Sequence, residues 1–468
     1  MSPPPISPEQ LDGLSPEVRV VVEAIIEHYE RRIADLEAEL AAARKTPQNS
    51  SLPPSTQHPH AKPLPTRTKS NKPRGGQPGH LKFERPLIPA EDCDELVTLK
   101  PPQCRRCGTA LSGTDPQPLR HQVYELPEIQ PLVTEYQQHR LRCPGCGETT
   151  CAALPSGVPR GGSGPKLIAF VALLMACFRQ SKRRTSLFVT SLLNAPCCPS
   201  LTVKHQHIAT QALRPAYAEL VAALPHQPQL HGDESPTKEG PIKSWLWTFV
   251  AGTFTVFALR GSRAATAIRE LLGETFAGVM SCDRAKMYWH CGNLQWCWAH
   301  LKRDFQALAD SKDPQVKRLG QDLLRPTKEL FRLWSRCRDG TLTRQEFQQQ
   351  MTPVHETVNS LLLRGHGTPV HGMCRELHEH RAWLWTFLER EGGLEPTNNA
   401  AERALRHAVI WRKLSFGTQS AAGSRFVETL LSVIETCRQQ DRSVFEFVTT
   451  AVQAHLQGKT CPSLLPRA

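Results

Sequence analysis

One carboxylate stands among bases in the segment TNNAAERALRHAVIWRKLSFGTQSAAG, residues 397–423. From Asn398 to Arg425 there is a single acid, Glu402, against five bases: Arg403, Arg406, Arg412, Lys413 and Arg425. On a helix, Glu402, Arg406, Val409 and Lys413 share a face. Taken alone, such an acid reads as an intrahelical ion pair. Two acids upstream give it another reading. Asp233 follows QPQLHG and Asp283 follows GETFAGVMSC, and each comes after a short run with the character of a buried strand. Two aspartates at strand ends and a glutamate on a late helix, set among phosphate-binding bases, are the parts of a two-metal phosphoryl-transfer site. Magnesium (or manganese) takes oxygen ligands, few of them from protein, which suits three carboxylates from distant parts of a chain. Glu234 rivals Asp233, but neighbours on an extended segment point to opposite faces. Glu395 and Glu428 rival Glu402. The first precedes the helix and the second lies beyond the basic cluster.

Thiols supply a second kind of chemistry. Cys104-x2-Cys107 and Cys143-x2-Cys146 each fit a short knuckle that presents two thiolates to one tetrahedral zinc. The 35 residues between the pairs are enough for a small strand-rich ribbon, and HQVYELPEI and LVTEYQQHRLRC have strand composition. Cys93 and Cys151 lie nearby as spare ligands or simple thiols. A further group, His290, Cys291, Cys297 and His300, reads either as a second zinc site or as packed cysteines and hydrogen-bonded core histidines. Trp289, Trp296 and Trp298 read as core, with base stacking as the alternative.

The elements that must position these groups follow from periodicity. Ser15 and Pro16 open a helix in which Val22, Ile26, Tyr29, Ile33, Leu36, Leu40 and Ala43 form a heptad seam, predicting a coiled coil that associates chains, with an amphipathic helix packed on its own chain as the alternative. Residues 46–82 hold eight prolines, six bases and no acid, so they predict an extended tether able to track phosphates. Residues 164–224 read as helical, broken at NAPCCPS. Lys182, Arg183, Arg184, Lys204, His205 and His207 make a helix-turn-helix reader and a plain connector equal readings. From Pro228 strands appear in order, then a crossing helix, further strands, a helical stretch over 306–395, and the Glu402 helix, where Asn398 and Asn399 are expected to cap.

Composition bounds the partners. The chain has 468 residues and a net charge of +13, with a pI of about 9.1, which favours nucleic acid. The longest apolar run, LIAFVALLMACF, is too short to span a bilayer, and MSPPPISPEQ is not a signal peptide. Sixteen cysteines without a secretory signal point to metal ligation in a reducing cytoplasm rather than to disulfides.

In order, NSSLPPS, GGQPGH, CRRCG, CPGCG, GDES, CD, CWAH and NNAAERALR…RK make the chain resemble a transposase of bacterial insertion-sequence family sixty-six, a TnpC-type DDE enzyme. The resemblance implies a multidomain α+β protein. Its expected parts are a coiled-coil helix (1–45), a basic Pro-rich linker (46–90), a zinc-binding ribbon (91–158) and a helical, DNA-binding region (160–226). A ribonuclease-H-like α/β catalytic core follows (227–305 and 396–468), interrupted by a helical insertion (306–395). It implies that Asp233, Asp283 and Glu402 are the catalytic magnesium ligands and that Cys104, Cys107, Cys143 and Cys146 bind structural zinc. Arg403, Arg406, Arg412 and Lys413 become DNA contacts, with pairing to Glu402 the alternative for Arg406 and Lys413. Cys297-x2-His300 resembles an element after the second aspartate in several DDE groups, which brings His300 toward the scissile phosphate. The family often has an acid just before the Asn pair, where this chain has Thr397.

The implied activity is binding of element ends, cleavage, and joining of 3′-hydroxyls to target DNA. Its partners would be terminal inverted repeats and target DNA, further copies of the chain, and accessory proteins of the same element. The setting would be the bacterial cytoplasm, at the nucleoid. The alternatives are a zinc-dependent DNA-binding protein that has lost catalysis, and a nuclease of the same fold that does not join strands.

Overall fold

Alternating buried and half-buried positions over 229–239 build the central strand on which the rest is arranged. The computed structural model describes residues 13–43, 85–390 and 393–466. The linker motifs NSSLPPS and GGQPGH, and the bases from Lys62 to Lys82, lie outside them. The chain divides into two compact units, His60–Pro131 and Met1–Pro59 with Leu132–Ala468.

In the larger unit, helix α1 (Pro16–Ala43) carries the predicted seam. Val22 and Ile26 are half-buried, and Tyr29, Ile33 and Leu36 are exposed. The side chains of Leu40 and Ala43 lie outside the described set. Strands β1 (Arg140–Arg142) and β2 (Thr149–Cys151) form an antiparallel hairpin. Three helices follow: α2 (Pro165–Ala176), α3 (Lys182–Leu192) and α4 (Pro199–Ala223). The sequence predicts one helix over α2 and α3, but the chain breaks at Arg179, which has φ 59°. Ser181 then restarts it, its hydroxyl accepting the Arg184 N–H at 3.3 Å.

The main sheet has the order β5-β4-β3-β6-β7: Thr255–Arg260, Ile242–Val250, Gln229–Glu239, Val279–Cys282 and Leu294–Trp296. β3, β4 and β5 pair antiparallel as a meander, while β6 and β7 run parallel to β3. The parallel pairs require crossovers, and α5 (Ala265–Leu272) lies in the connection from β5 to β6. Beyond β7 come α6 (Trp298–Ala309), α7 (Pro314–Arg338), α8 (Arg344–Gly365), α9 (His371–Glu379) and α10 (Ala382–Glu389). α6 to α9 pack successively, and α10 returns to β7. α11 (Asn399–Ser415) crosses β3 and β4, α12 (Ala421–Gln439) lies against β5 and α4, and α13 (Val444–Leu456) packs on α2 and α4.

Buried Trp247, Phe249, Phe257, Trp296, Trp298 and Trp385 anchor the core around this sheet. A second anchor is ionic. Glu428 on α12 is buried, with Arg214 at 2.9 Å and Arg425 at 3.2 Å, and it accepts the Leu259 N–H at 3.1 Å. Among the described residues no helix is long and apolar enough to cross a membrane.

The smaller unit is irregular over its described part, with a short 3-10 turn at Ala90–Asp92. The sequence predicts a strand in HQVYELPEI, yet 121–129 forms no strand ladder. Its order comes from side chains. Gln122 exchanges hydrogen bonds with the Ile88 backbone, and Arg85 stacks over Tyr124 at 4.1 Å.

Candidate active site

Register brings the acids together. In the parallel pairing of β3 with β6, Gln229 faces Val279 and His231 faces Ser281, an offset of fifty positions. Carried two residues further, that offset sets Asp233 opposite Asp283. In β6 with β7, Met280 faces Leu294 and Cys282 faces Trp296, an offset of fourteen. One residue further, Asp283 meets Cys297. Continued past the last paired residues, the two offsets would line up Asp233, Asp283 and Cys297 just beyond the parallel ladder, and the charge of Asp283 does act on Asp233. Asp233 is itself in mid-strand rather than at a strand end, because β3 continues to Glu239 along β4.

Glu402 reaches this row from α11, which is pinned at both ends. At its start Asn398 is buried, 1% exposed, and its Nδ2 donates to the Gly232 carbonyl at 2.7 Å. The Asn398 backbone N–H donates to Cys297 Sγ at 3.2 Å. Asn398 occupies the N-cap position, but its side chain makes no capping bond. The expected cap is instead a tie between helix and strand. Gly232 leaves room for that bond, since a Cβ would stand 2.9 Å from Met280 Sδ and 3.0 Å from the Tyr288 ring and those side chains would have to shift. At the far end Thr418 N–H donates to the Lys238 carbonyl at 2.9 Å, and Gly240 N–H donates back to Thr418 at 2.8 Å. Gly417, at φ 97°, allows that approach, because a Cβ would meet the Lys238 carbonyl oxygen at 2.6 Å.

The acids differ in their partners. Glu234 accepts the Tyr288 hydroxyl at 2.7 Å and pairs with Arg263 at 2.7 Å. Asp304 pairs with Arg284 at 3.0 Å, and Glu428 is committed to its arginines. Asp233 accepts only the Glu234 N–H, at 2.9 Å, and Asp283 only the Ala285 N–H, at 2.9 Å, among the described hydrogen bonds and ion pairs. Burial pushes Asp233 well above the usual carboxylate range, reinforced by the charges of Glu234, Asp283 and Glu402. Burial likewise raises Asp283 and Glu402, opposed by nearby arginines. Among the described residues the two aspartates have no ion-pair partner, while Glu402 has Arg303 nearby.

Glu402 Oε1 lies 3.5 Å from His300 Nδ1 and 3.6 Å from Arg303. Neither Oε1 nor Nδ1 completes a hydrogen bond, although both are buried. Burial, then the charges of Arg303 and Arg284, push His300 down to about 3, so the imidazole is neutral and the contact is not an ion pair. Among the described residues, the ligand atoms that converge within 4.8 Å of one another are those of Cys297, His300 and Glu402. His290 turns away to the Met287 carbonyl at 2.8 Å. The four-residue set His290, Cys291, Cys297 and His300 does not converge.

The predicted bases separate. Arg403 and Arg406 are exposed, and their charges act on Glu402. Arg412 is engaged by the Pro236 carbonyl. Lys413 is exposed near the helix end. Sequence reasoning missed Arg303, Arg263 and Tyr288. The sequence places Cys297-x2-His300 at a strand end, whereas the structure starts a helix at Trp298, and that helix sets Arg303 one turn after His300.

The two cysteine pairs each lie in their own turn, and the two turns have the same hydrogen-bond pattern. Cys104 N–H donates to the Thr109 carbonyl at 2.9 Å, and Gly108 N–H to the Cys104 carbonyl at 3.0 Å. Cys143 N–H donates to Glu148 at 2.7 Å, and Gly147 N–H to Cys143 at 2.8 Å, at the tip of the β1–β2 hairpin. Hydrogen bonds from Thr109 bring Cys107 down to about 7, and backbone bonds lower Cys143, so both turns favour thiolate.

Residues 160–425, more than half of the chain, match the Transposase IS66 family. The chain is 25% identical over 252 residues to uncharacterized protein y4qI of Sinorhizobium fredii, covering 48% of this chain and 46% of that protein. It is 22% identical over 394 residues to uncharacterized protein y4hP of the same organism, covering 74% and 69%. The chain thus spans about half the length of the first relative.

Proposed function

This chain belongs to the Transposase IS66 family, and from that premise we propose that it is a DDE transposase. It binds the ends of its element, cleaves them and joins the 3′-hydroxyls to target DNA. The observation that carries the reading is the row of Asp233 and Asp283 under Glu402, three acids whose charges act on one another and whose two aspartates lack basic partners. The sheet order, with an antiparallel meander followed by two parallel strands, supports a ribonuclease-H-like core.

Asp233, Asp283 and Glu402 would hold magnesium or manganese, and the all-oxygen donor set fits those ions. When bound, the metal neutralises phosphate charge and activates the attacking oxygen. The chain's own residues do the rest. The pinned α11 fixes Glu402 over the strand ends. Arg403 and Arg406 face outward and bind phosphates flanking the scissile position. Neutral His300 offers a ring N–H to a phosphate oxygen. Arg412 and Lys413 extend the basic track. The two thiolate turns, Cys104 with Cys107 and Cys143 with Cys146, serve as structural zinc ligands. Helix α1 pairs chains so that two ends are held at once.

Asp233→Asn, Asp283→Asn and Glu402→Gln keep size and remove charge. Each should abolish magnesium-dependent cleavage and joining of end DNA while end binding persists. Near-normal activity in any one of them removes that residue from the set.

A further inference from the structure

We propose that Cys297, His300 and Glu402 form a zinc site that competes with the catalytic metal for Glu402. The inference rests on the reading of Glu402 as a magnesium ligand. Its own basis is separate. The three donor atoms lie within 4.8 Å of one another, and they come from two elements that the fold fixes together. Cys297 precedes α6, His300 sits in its first turn, and Asn398 bonds the start of α11 to the Cys297 sulfur.

The spacing is that of a coordination shell. Nitrogen and oxygen ligands on one tetrahedral zinc stand about 3.3 Å apart, and a sulfur stands roughly 3.6 Å from its neighbours. His300 Nδ1 and Glu402 Oε1 are 3.5 Å apart and make no hydrogen bond to each other or to anything else. Two adjacent buried polar atoms without a hydrogen-bond partner, with only Arg303 near Oε1 at 3.6 Å, leave a place for a third party. Movement on the order of 1 Å closes the sulfur onto them. The fourth position is left for water.

The donors select the ion. Thiolate, imidazole and one carboxylate suit zinc, whereas magnesium requires hard oxygen ligands. Binding replaces the thiol proton, which passes to solvent, by a sulfur–zinc bond. Thiolate and carboxylate together then balance the dication, so Arg303, 3.6 Å from Oε1, faces a neutral centre. With Oε1 drawn to Cys297 and His300, the carboxylate is withdrawn from Asp233 and Asp283. Zinc would hold the enzyme inactive, and magnesium would compete it off.

The test uses the full chain and zinc ion itself. Zinc per chain is measured at fixed free zinc for the unaltered protein, Cys297→Ser and His300→Gln. Serine keeps an acceptor for the Asn398 N–H and loses the thiolate. The second variant maintains the comparison if the first fails to fold. Each variant should bind one zinc fewer. In Cys297→Ser, loss of a direct ligand should weaken zinc inhibition of cleavage by more than about 100-fold, the upper range for outer-shell changes, while His300→Gln is read by zinc content alone. In the unaltered chain the inhibitory zinc concentration should rise with magnesium. Unchanged zinc content in both variants overturns the site. Variant-dependent zinc binding without cleavage in any protein leaves the site standing and removes the transposase reading. Cleavage by Cys297→Ser with unaltered zinc sensitivity rejects the competition.

Discussion

Asn398→Ala separates the aiming of Glu402 from the stability of the fold. The substitution removes the 2.7 Å bond from Nδ2 to the Gly232 carbonyl, inside a region where Asn398 is 1% exposed. A lost hydrogen bond that strands a buried carbonyl costs about 1–3 kcal/mol. The remaining ties are untouched: the Asn398 N–H still reaches Cys297 Sγ, and Thr418 still holds Lys238. The helix should therefore stay folded and shift at its start. Glu402 lies one turn in, about 6 Å along the axis from the lost tie, and follows that shift. A displacement of about 1 Å in a reacting group costs on the order of 100-fold in rate. Melting should fall by only about 1 °C per kcal/mol for a cooperative unit of this size. Cleavage of end DNA, measured where both proteins are fully folded, should fall far more than the folded fraction, with end binding unchanged. Cleavage that drops only in step with stability would refute the positioning role.

Three further outcomes are expected. Asp283 has a raised pKa, so its ionisation costs stability: its contribution is fully present below the unfolded value of about 4 and is lost as pH rises through the folded value. In chelator, Asp283→Asn should therefore melt above the unaltered chain at pH 8 and by a smaller margin at pH 5, whereas a lower melting point at pH 8 contradicts this electrostatic account. Cys104→Ser and Cys143→Ser should each lower zinc content and loosen the surrounding turn by proteolysis, because structural zinc supplies folding energy, and unchanged metal content in both variants rejects those thiolates as ligands. Ile33→Asp with Leu36→Asp places charge on two exposed apolar positions of α1, 54% and 47% exposed, and should reduce oligomer size by light scattering without changing thermal stability, while unchanged size and end pairing limit α1 to its own chain.

The sequence by itself determined the family and the inventory of chemistry. Asp233, Asp283 and Glu402 stand out because carboxylates beside apolar runs or among bases are rare enough to notice. The two Cys-x2-Cys pairs are legible because a knuckle is local, and four residues suffice to define it. The strands of the sheet are legible for the same reason. What the chain could not state is register. Offsets of fifty and fourteen positions, set by long-range pairing, would line up Cys297 with the aspartates. Helical spacing read Asn398 as a cap, but the end of the β3–β6 ladder left the Gly232 carbonyl to its amide. Arg303 and Tyr288 enter the site only because α6 and the segment after β6 converge there. Local spacing fixes which groups exist on a face. Only tertiary pairing decides which faces meet, and so which acids remain unpaired.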